Sequence, residues 1–405
     1  MNASSTKPIT ITVAIAVAPA ALPVKPRNAA TSAAAANTAI HTFIDASSKA
    51  RSRTRGCTSG ATCSAIQGTG RAARDLPCES RGEVGMRRFR IEHRTVYRYA
   101  RPVAFGPHRL LLRPKEGPDV RVVRARVAAS PLASLRWSED ALGNVVAHAT
   151  FAQRARVLAI ESTVEVEHSG DEATDARACA AITLPVGYHE IEQPDLARTR
   201  ARHHPDPHGQ IDAWARRFLR ENEATPVLEA LERMATSVRD ELRWEPRDEE
   251  GTQTPIETLA RGVGACRDFA LLVIEACRSL GLAARFVSGY LYDPSRDVDP
   301  APPGGATHAW VQVYLPGTGW LELDPTHGRI GSTHLVRVAV ARDPASLAPI
   351  TGTWIGFPGD ALGMEVCVHV RELAAADESG TRRLPPERIS ERTTSERRAA
   401  AASEP

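Results

Sequence analysis

Apolar positions recur at three- and four-residue spacing in Phe269, Leu272, Val273, Ala276 and Leu280, and Gly281 follows where a helix ends. The spacing predicts an amphipathic helix from Cys266 to Leu280, entered through Gly262-Val263-Gly264-Ala265. Downstream the period changes to two. Thr307-His308-Ala309-Trp310-Val311-Gln312-Val313-Tyr314 and Trp320-Leu321-Glu322-Leu323-Asp324-Pro325-Thr326 predict strands, joined through Pro316-Gly317-Thr318-Gly319 as a hairpin. Ala309, Val311, Val313, Leu321 and Leu323 share a face that reads as core. His308, Trp310, Gln312, Trp320, Glu322 and Asp324 share the other, which reads as non-core.

The hairpin register decides whether His308 and Asp324 can meet. With a four-residue loop Asp324 falls on the wrong side. With a three-residue turn it opposes Trp310 and lies diagonal to His308, within reach of side chains of that length. A three-residue turn or a bulge is therefore expected.

The same patterns organise the rest of the chain. Residues 89–97, 122–127 and 157–166 alternate, 109–114 is a further short run, and Asp140-Ala141-Leu142-Gly143-Asn144 reads as a turn, so 86–172 is expected to be all-β. A loop-rich connection fills about 173–207. Helical period returns over 211–219 and 226–242, and Thr254 with Glu257 fits a capping box. Residues 247–253 read as a loop over the site. After the cysteine helix, 283–292, 336–340 and 364–370 read as further strands of the sheet, with a Pro/Gly-rich loop at 293–305 beside His308.

A cysteine in the first turn of a helix meets the positive end of the helix dipole and unpaired backbone N–H groups. Both favour the thiolate, the nucleophilic form, and those N–H groups can also stabilise an oxyanion. The preceding glycines let backbone and substrate approach closely. Taken alone, Cys266 also fits a small buried hydrophobe.

The order Gly-Ala-Cys-Arg-Asp at 264–268, Thr-His-Ala-Trp-Val at 307–311 and Leu-Asp-Pro-Thr at 323–326 resembles the bacterial transglutaminase-like superfamily, whose core is similar to papain-type cysteine proteases. The resemblance covers roughly residues 86–372. It implies an α+β fold, a papain-like core in which the helix bearing the cysteine packs on an antiparallel sheet, preceded by an all-β, sandwich-like domain. It also carries a Cys-His-Asp triad onto Cys266, His308 and Asp324. Cys266 would attack an amide or ester carbonyl, His308 would move the proton and Asp324 would orient the imidazole. Water would resolve the thioester in a peptidase or amidase, and an amine in a transglutaminase. A binding module of the same fold is the third reading. Trp244 and His327 are candidates for supporting the oxyanion or the triad, although Trp244 also reads as a core residue.

Such a pair needs no cofactor and no metal. The His203-His204-Pro205-Asp206-Pro207-His208 tract reads as a surface loop, and a zinc site on Cys266, His308 and Asp324 would offer a single sulfur. Seven cysteines without a CxxC, one of them a free nucleophile, suit a reducing, cytoplasmic compartment. Cys277 reads as buried packing.

Charge and composition set the ends apart. Residues 1–85 are rich in Ala, Ser, Thr and Arg and carry ten basic and four acidic side chains, so the remainder is mildly acidic although the whole chain is +3. The basic balance is thus no argument for nucleic acid, and a peptide or protein substrate is expected. Residues 1–85 and 373–405 read as low-complexity tails around an N-terminal β domain at 86–172 and a core at 173–372. The apolar run Ile9–Val17 is too short to span a membrane; with Lys7 and Ala18-Pro19-Ala20 it also fits an export signal, the alternative to a start at Met86.

Overall fold

Twenty-four consecutive residues form one strand, β2 (Arg87–Leu110), and the fold is built on both halves of it. The structure, a computed structural model, describes residues 9–14, 86–170, 181–247, 249–297, 307–357 and 359–373. The expectations for the rest of 1–85, for the centre of the 293–305 loop and for the tail from 374 lie outside them.

In the N-terminal half of the fold β1 (Ile9–Ala14) precedes β2, and β3 (Val120–Ser130), β4 (Ala133–Glu139), β5 (Val145–Phe151) and β6 (Ala155–His168) follow. The first half of β2 pairs with β6, and its end pairs with β5. The run at 109–114 is therefore not a separate strand. Its first two residues end β2, where the alternation of buried and more exposed positions resumes from Val103 after the break at 100–102. Residues 9–14 form a strand rather than part of a featureless tail. Ile9-Thr10-Ile11-Thr12-Val13 alternates β-branched residues, which suits a strand.

Short pairings and helices lead into the second half. They are β7 (Thr183–Leu184), α1 (Gln193–Arg200), α2 (Gln210–Arg216), β8 (Thr225–Pro226), α3 (Val227–Glu241), β9 (Arg243–Trp244) and α4 (Pro255–Arg261). The capping box of α4 is present. The Thr254 hydroxyl accepts from the Glu257 N–H at 3.2 Å, and the Glu257 carboxylate accepts from the Thr254 N–H at 2.9 Å. Gly262 closes α4 with φ 64°, a left-handed conformation that favours glycine.

Next come β10 (Val263–Gly264), α5 (Cys266–Ser279), β11 (Ala283–Leu291), β12 (His308–Leu315), β13 (Gly319–Asp324), β14 (Arg329–Ile330) and β15 (Leu335–Ala341). The last five form an antiparallel sheet in the order β14-β13-β12-β11-β15. Helix α5 packs on β11 and β12, burying Phe269, Leu272, Val273 and Ala276 against Ala284, Phe286, Val311 and Val313. Each large apolar side chain so buried contributes about 1.5–3 kcal/mol. In the hairpin Leu315 faces Gly319 and Gln312 faces Glu322, the register of a three-residue turn.

Two expectations need correction. The face of His308, Trp310, Gln312 and Glu322 is buried too, because residues 86–170 cover that side of the sheet. Asn144 pairs through its side-chain amide with the Val340 backbone at 2.8 Å in both directions, and the ring of His93 meets the Tyr290 hydroxyl at 3.1 Å. The strand foreseen at 364–370 is β17 (Ala361–Leu373), and β16 (Ile350–Gly356) precedes it. Both pair with β2 rather than with the sheet under α5. Alternation predicts a strand but not its partner. Among the described residues no helix is long and apolar enough to cross a membrane.

Candidate active site

Cys266 is the first residue of α5, behind the extended N-cap Ala265. Gly264 makes the entry possible: a Cβ there would sit 3.0 Å from the Asp268 Cβ and 3.2 Å from the Phe269 ring. The buried Asp268 carboxylate then holds the turn, accepting from the Ala265 N–H and the Gln253 N–H, each at 2.8 Å, and from Arg247 at 2.6 Å. Arg267 reaches the other way and donates to the carbonyls of Gly251 at 2.6 Å, Glu249 at 2.8 Å and Arg247 at 3.1 Å. Two neighbouring side chains of the helix N-terminus therefore clamp the 247–251 loop beside Cys266. Nothing in the residue pattern announces this clamp, since a charged loop without period looks the same whether anchored or solvated.

His308 opens β12 and Asp324 closes β13, so the three-residue turn sets their separation. The His308 Nε2 lies 2.9 Å from Asp324 Oδ2, and the Cys266 side chain is the other group that acts on the imidazole. All three side chains are buried. Burial opposes a charge on His308, but Asp324 and Cys266 outweigh it and push its pKa up to about 10. Burial likewise opposes the Asp324 charge. The contacts with His308 and His327 win, and hold this carboxyl well below the usual range. Its Oδ1 accepts from the Thr326 N–H at 3.0 Å.

His327 Nδ1 lies 2.8 Å from the same Asp324 oxygen, and its ring meets that of His308 edge-on at 5.4 Å. Trp244 is 50% exposed, so it is not a core residue. It pairs in parallel with Gly264 through β9 and β10, on the chain's entry to Cys266. The donor atoms of His308, Asp324 and His327 lie within 4.8 Å of one another, a composition that suits a divalent metal. Here they are joined by short hydrogen bonds, which require a proton on each nitrogen.

The other thiols differ. Cys277 is fully buried on α5, and burial pushes its thiol up to about 12. Cys367 is half-buried beside His369 at 3.2 Å. The histidine tract at 203–208 is anchored as a loop: the His203 and His204 N–H groups donate to Glu275, which is buried on α5 beside Arg278.

Comparison with known proteins gives the family and the fold. Residues 212–325, which hold Cys266, His308 and Asp324, match the transglutaminase-like superfamily, and residues 89–167 match the bacterial transglutaminase-like N-terminal region. An uncharacterized protein of Mycobacterium bovis is 30% identical over 284 residues, 66% of this chain and 88% of its own. One of Mycobacterium leprae is 27% identical over 294 residues, 71% of this chain and 100% of its own. Among solved structures, a candidate cysteine protease from Cytophaga hutchinsonii shares the fold with a TM-score of 0.53 at 17% identity, over 72% of this chain and 92% of that one. The chain belongs to the transglutaminase-like superfamily, with a papain-like core of mixed helices and strands behind a bacterial transglutaminase-like N-terminal region.

Proposed function

We propose that the protein is a cysteine-dependent amide hydrolase acting on a peptide or protein through Cys266, His308 and Asp324. The observation that carries this reading is the position of His308, 2.9 Å from Asp324 through Nε2, with Cys266 as the other side chain acting on its imidazole. The Cys266 proton passes to His308, and the sulfur attacks the carbonyl carbon. The developing oxyanion is met by backbone N–H groups at the start of α5. His308 then protonates the leaving amine as the C–N bond breaks, leaving a thioester on Cys266. Water, deprotonated by His308, attacks the thioester, releasing the acid and returning the proton to the thiol. Asp324 keeps the imidazole in one tautomer and stabilises its charged form throughout.

An amine in place of that water would give acyl transfer from the same thioester, and a chain that only binds its partner would form no thioester. In this reading residues 86–172 are a sandwich-like scaffold for the core at 173–372. A p-nitrophenyl acetate assay with intact mass tests the scheme. One acetyl group should appear on Cys266 and decay in water, and Cys266→Ala should carry none. Added primary amine shortens its life if the enzyme is a transferase and leaves it unchanged if it is a hydrolase. Failure of wild-type Cys266 to acylate would favour the binding module.

A further inference from the structure

Glu322 is a carboxylate buried in the middle of β13, on the face covered by residues 86–170. Burial raises its pKa, and three donors oppose that tendency. Trp310 Nε1 donates to Oε2 at 2.5 Å, and Gln312 Nε2 and Arg337 Nη1 each donate to Oε1 at 2.6 Å. Arg337 is the one cation of the three, and its Nη2 goes on to Asp119 Oδ1 at 2.9 Å. Asp119 lies just before β3, so an unbroken line of polar contacts runs from the N-terminal β region to the indole of Trp310.

That indole is fixed elsewhere as well. Gly289 pairs with His308 across β11 and β12, and a Cβ on it would lie 2.6 Å from the Trp310 ring and 2.3 Å from the Val336 carbonyl. Val287, Leu335 and Val340 pack around the ring. Its face stacks on the His308 imidazole, with centroids 5.8 Å apart and planes at 24°. A ring held this way limits rotation of the imidazole out of the plane that joins Cys266 to Asp324. It also offers a π face to an imidazolium.

We propose that Trp310, Glu322 and Arg337 are positioning residues for His308, tied by Asp119 to the N-terminal β region, so that the core is reactive only with that region docked. This rests on the Cys266–His308–Asp324 reading. Without Arg337, Glu322 loses the cation bonded to it and keeps only the nearby charge of Arg285, which donates to Gln312 at 2.7 Å; it takes up a proton or turns away, and either change weakens its bond to Trp310. The groups facing His308 directly, Cys266, Asp324 and His327, are untouched by such a substitution.

The test uses the full chain, iodoacetamide as the probe of Cys266 and NMR titration of the His308 ring. Arg337→Met should slow Cys266 alkylation by about tenfold and move the His308 titration down by about one unit, within the range of couplings between contacting groups. Asp119→Asn should do the same more weakly, and Arg337→Lys should recover most of the rate. If Arg337→Met does not fold, Glu322→Gln/Arg337→Met, which removes both charges, carries the test by the same criteria. A folded variant with rate and titration within about twofold and 0.3 units of wild type would overturn the proposal, since a purely structural role lowers only the melting temperature. The two readings fail separately. If His308→Ala leaves alkylation unchanged, the triad reading falls; if His308→Ala abolishes it while Arg337→Met leaves it intact, only the positioning proposal falls.

Discussion

His308 Nε2 and Asp324 Oδ2 lie 2.9 Å apart, both buried, at the open end of a hairpin whose three-residue turn is seven residues away from the histidine along β12. Loss of the carboxylate charge should remove what holds the imidazolium. Asp324→Asn is expected to lower acyl turnover by about 10⁴-fold, the loss seen when the orienting carboxylate of a serine triad is neutralised. Alkylation of Cys266 by iodoacetamide, measured in parallel, should fall with it.

The two shifts have opposite signs, which sets a pH window. The raised pKa of His308 adds stability that is complete below about 6.5, its ordinary value, and lost as pH climbs through about 10. The lowered pKa of Asp324 adds stability that is present above its ordinary 3.8 and lost as pH falls below that. Wild type should therefore exceed Asp324→Asn most between roughly pH 4 and 6.5, by about 1–3 kcal/mol. Urea unfolding at pH 5 and pH 9 checks this, and an advantage that grows toward pH 9 would contradict it.

Arg247 supplies the cation for the buried Asp268 carboxylate that anchors the 247–253 loop. Arg247→Ala is expected to cost about 3 kcal/mol, because the carboxylate stays buried without its partner. Limited proteolysis should then cut the loop faster, with KM raised more than kcat is lowered.

Gly264→Ala brings a methyl group to 3.0 Å from the Asp268 Cβ at the turn that presents Cys266. A loss of about 1–3 kcal/mol is expected, together with slower acylation. Gly281→Ala is the control. It is strained by its φ of 82° but has open space around it and lies at the far end of α5, so stability should fall and acylation should not.

Much of this site was legible in the chain. The period around Phe269 and Leu272 marks the helix, and face alternation puts His308 and Asp324 on one side. The need for those two to meet selects the turn length found in the hairpin. What escaped reading has physical causes. Helix α1 buries only Leu196, so it carries no apolar stripe to detect. Trp244 has a core-like composition but occupies a two-residue strand that no periodicity can assign. Glu322 and Arg337 read as ordinary polar positions of two strands, because only the covering residues 86–170 turn that face into an interior. The pairing of β17 with β2 joins residues more than 260 apart, and alternation holds no memory of such a partner.

The most direct test is alkylation of native protein by iodoacetamide from pH 5 to 9, with peptide mapping of Cys266, Cys277 and Cys367 in wild type and His308→Ala. Cys266 should be modified first, and at least about tenfold more slowly in His308→Ala, where nothing takes up the thiol proton. Cys277, buried and with its thiol pushed up to about 12, should react only after unfolding. If Cys266 reacts no faster than Cys367, or is indifferent to His308, there is no activated nucleophile in this protein and its fold serves binding instead.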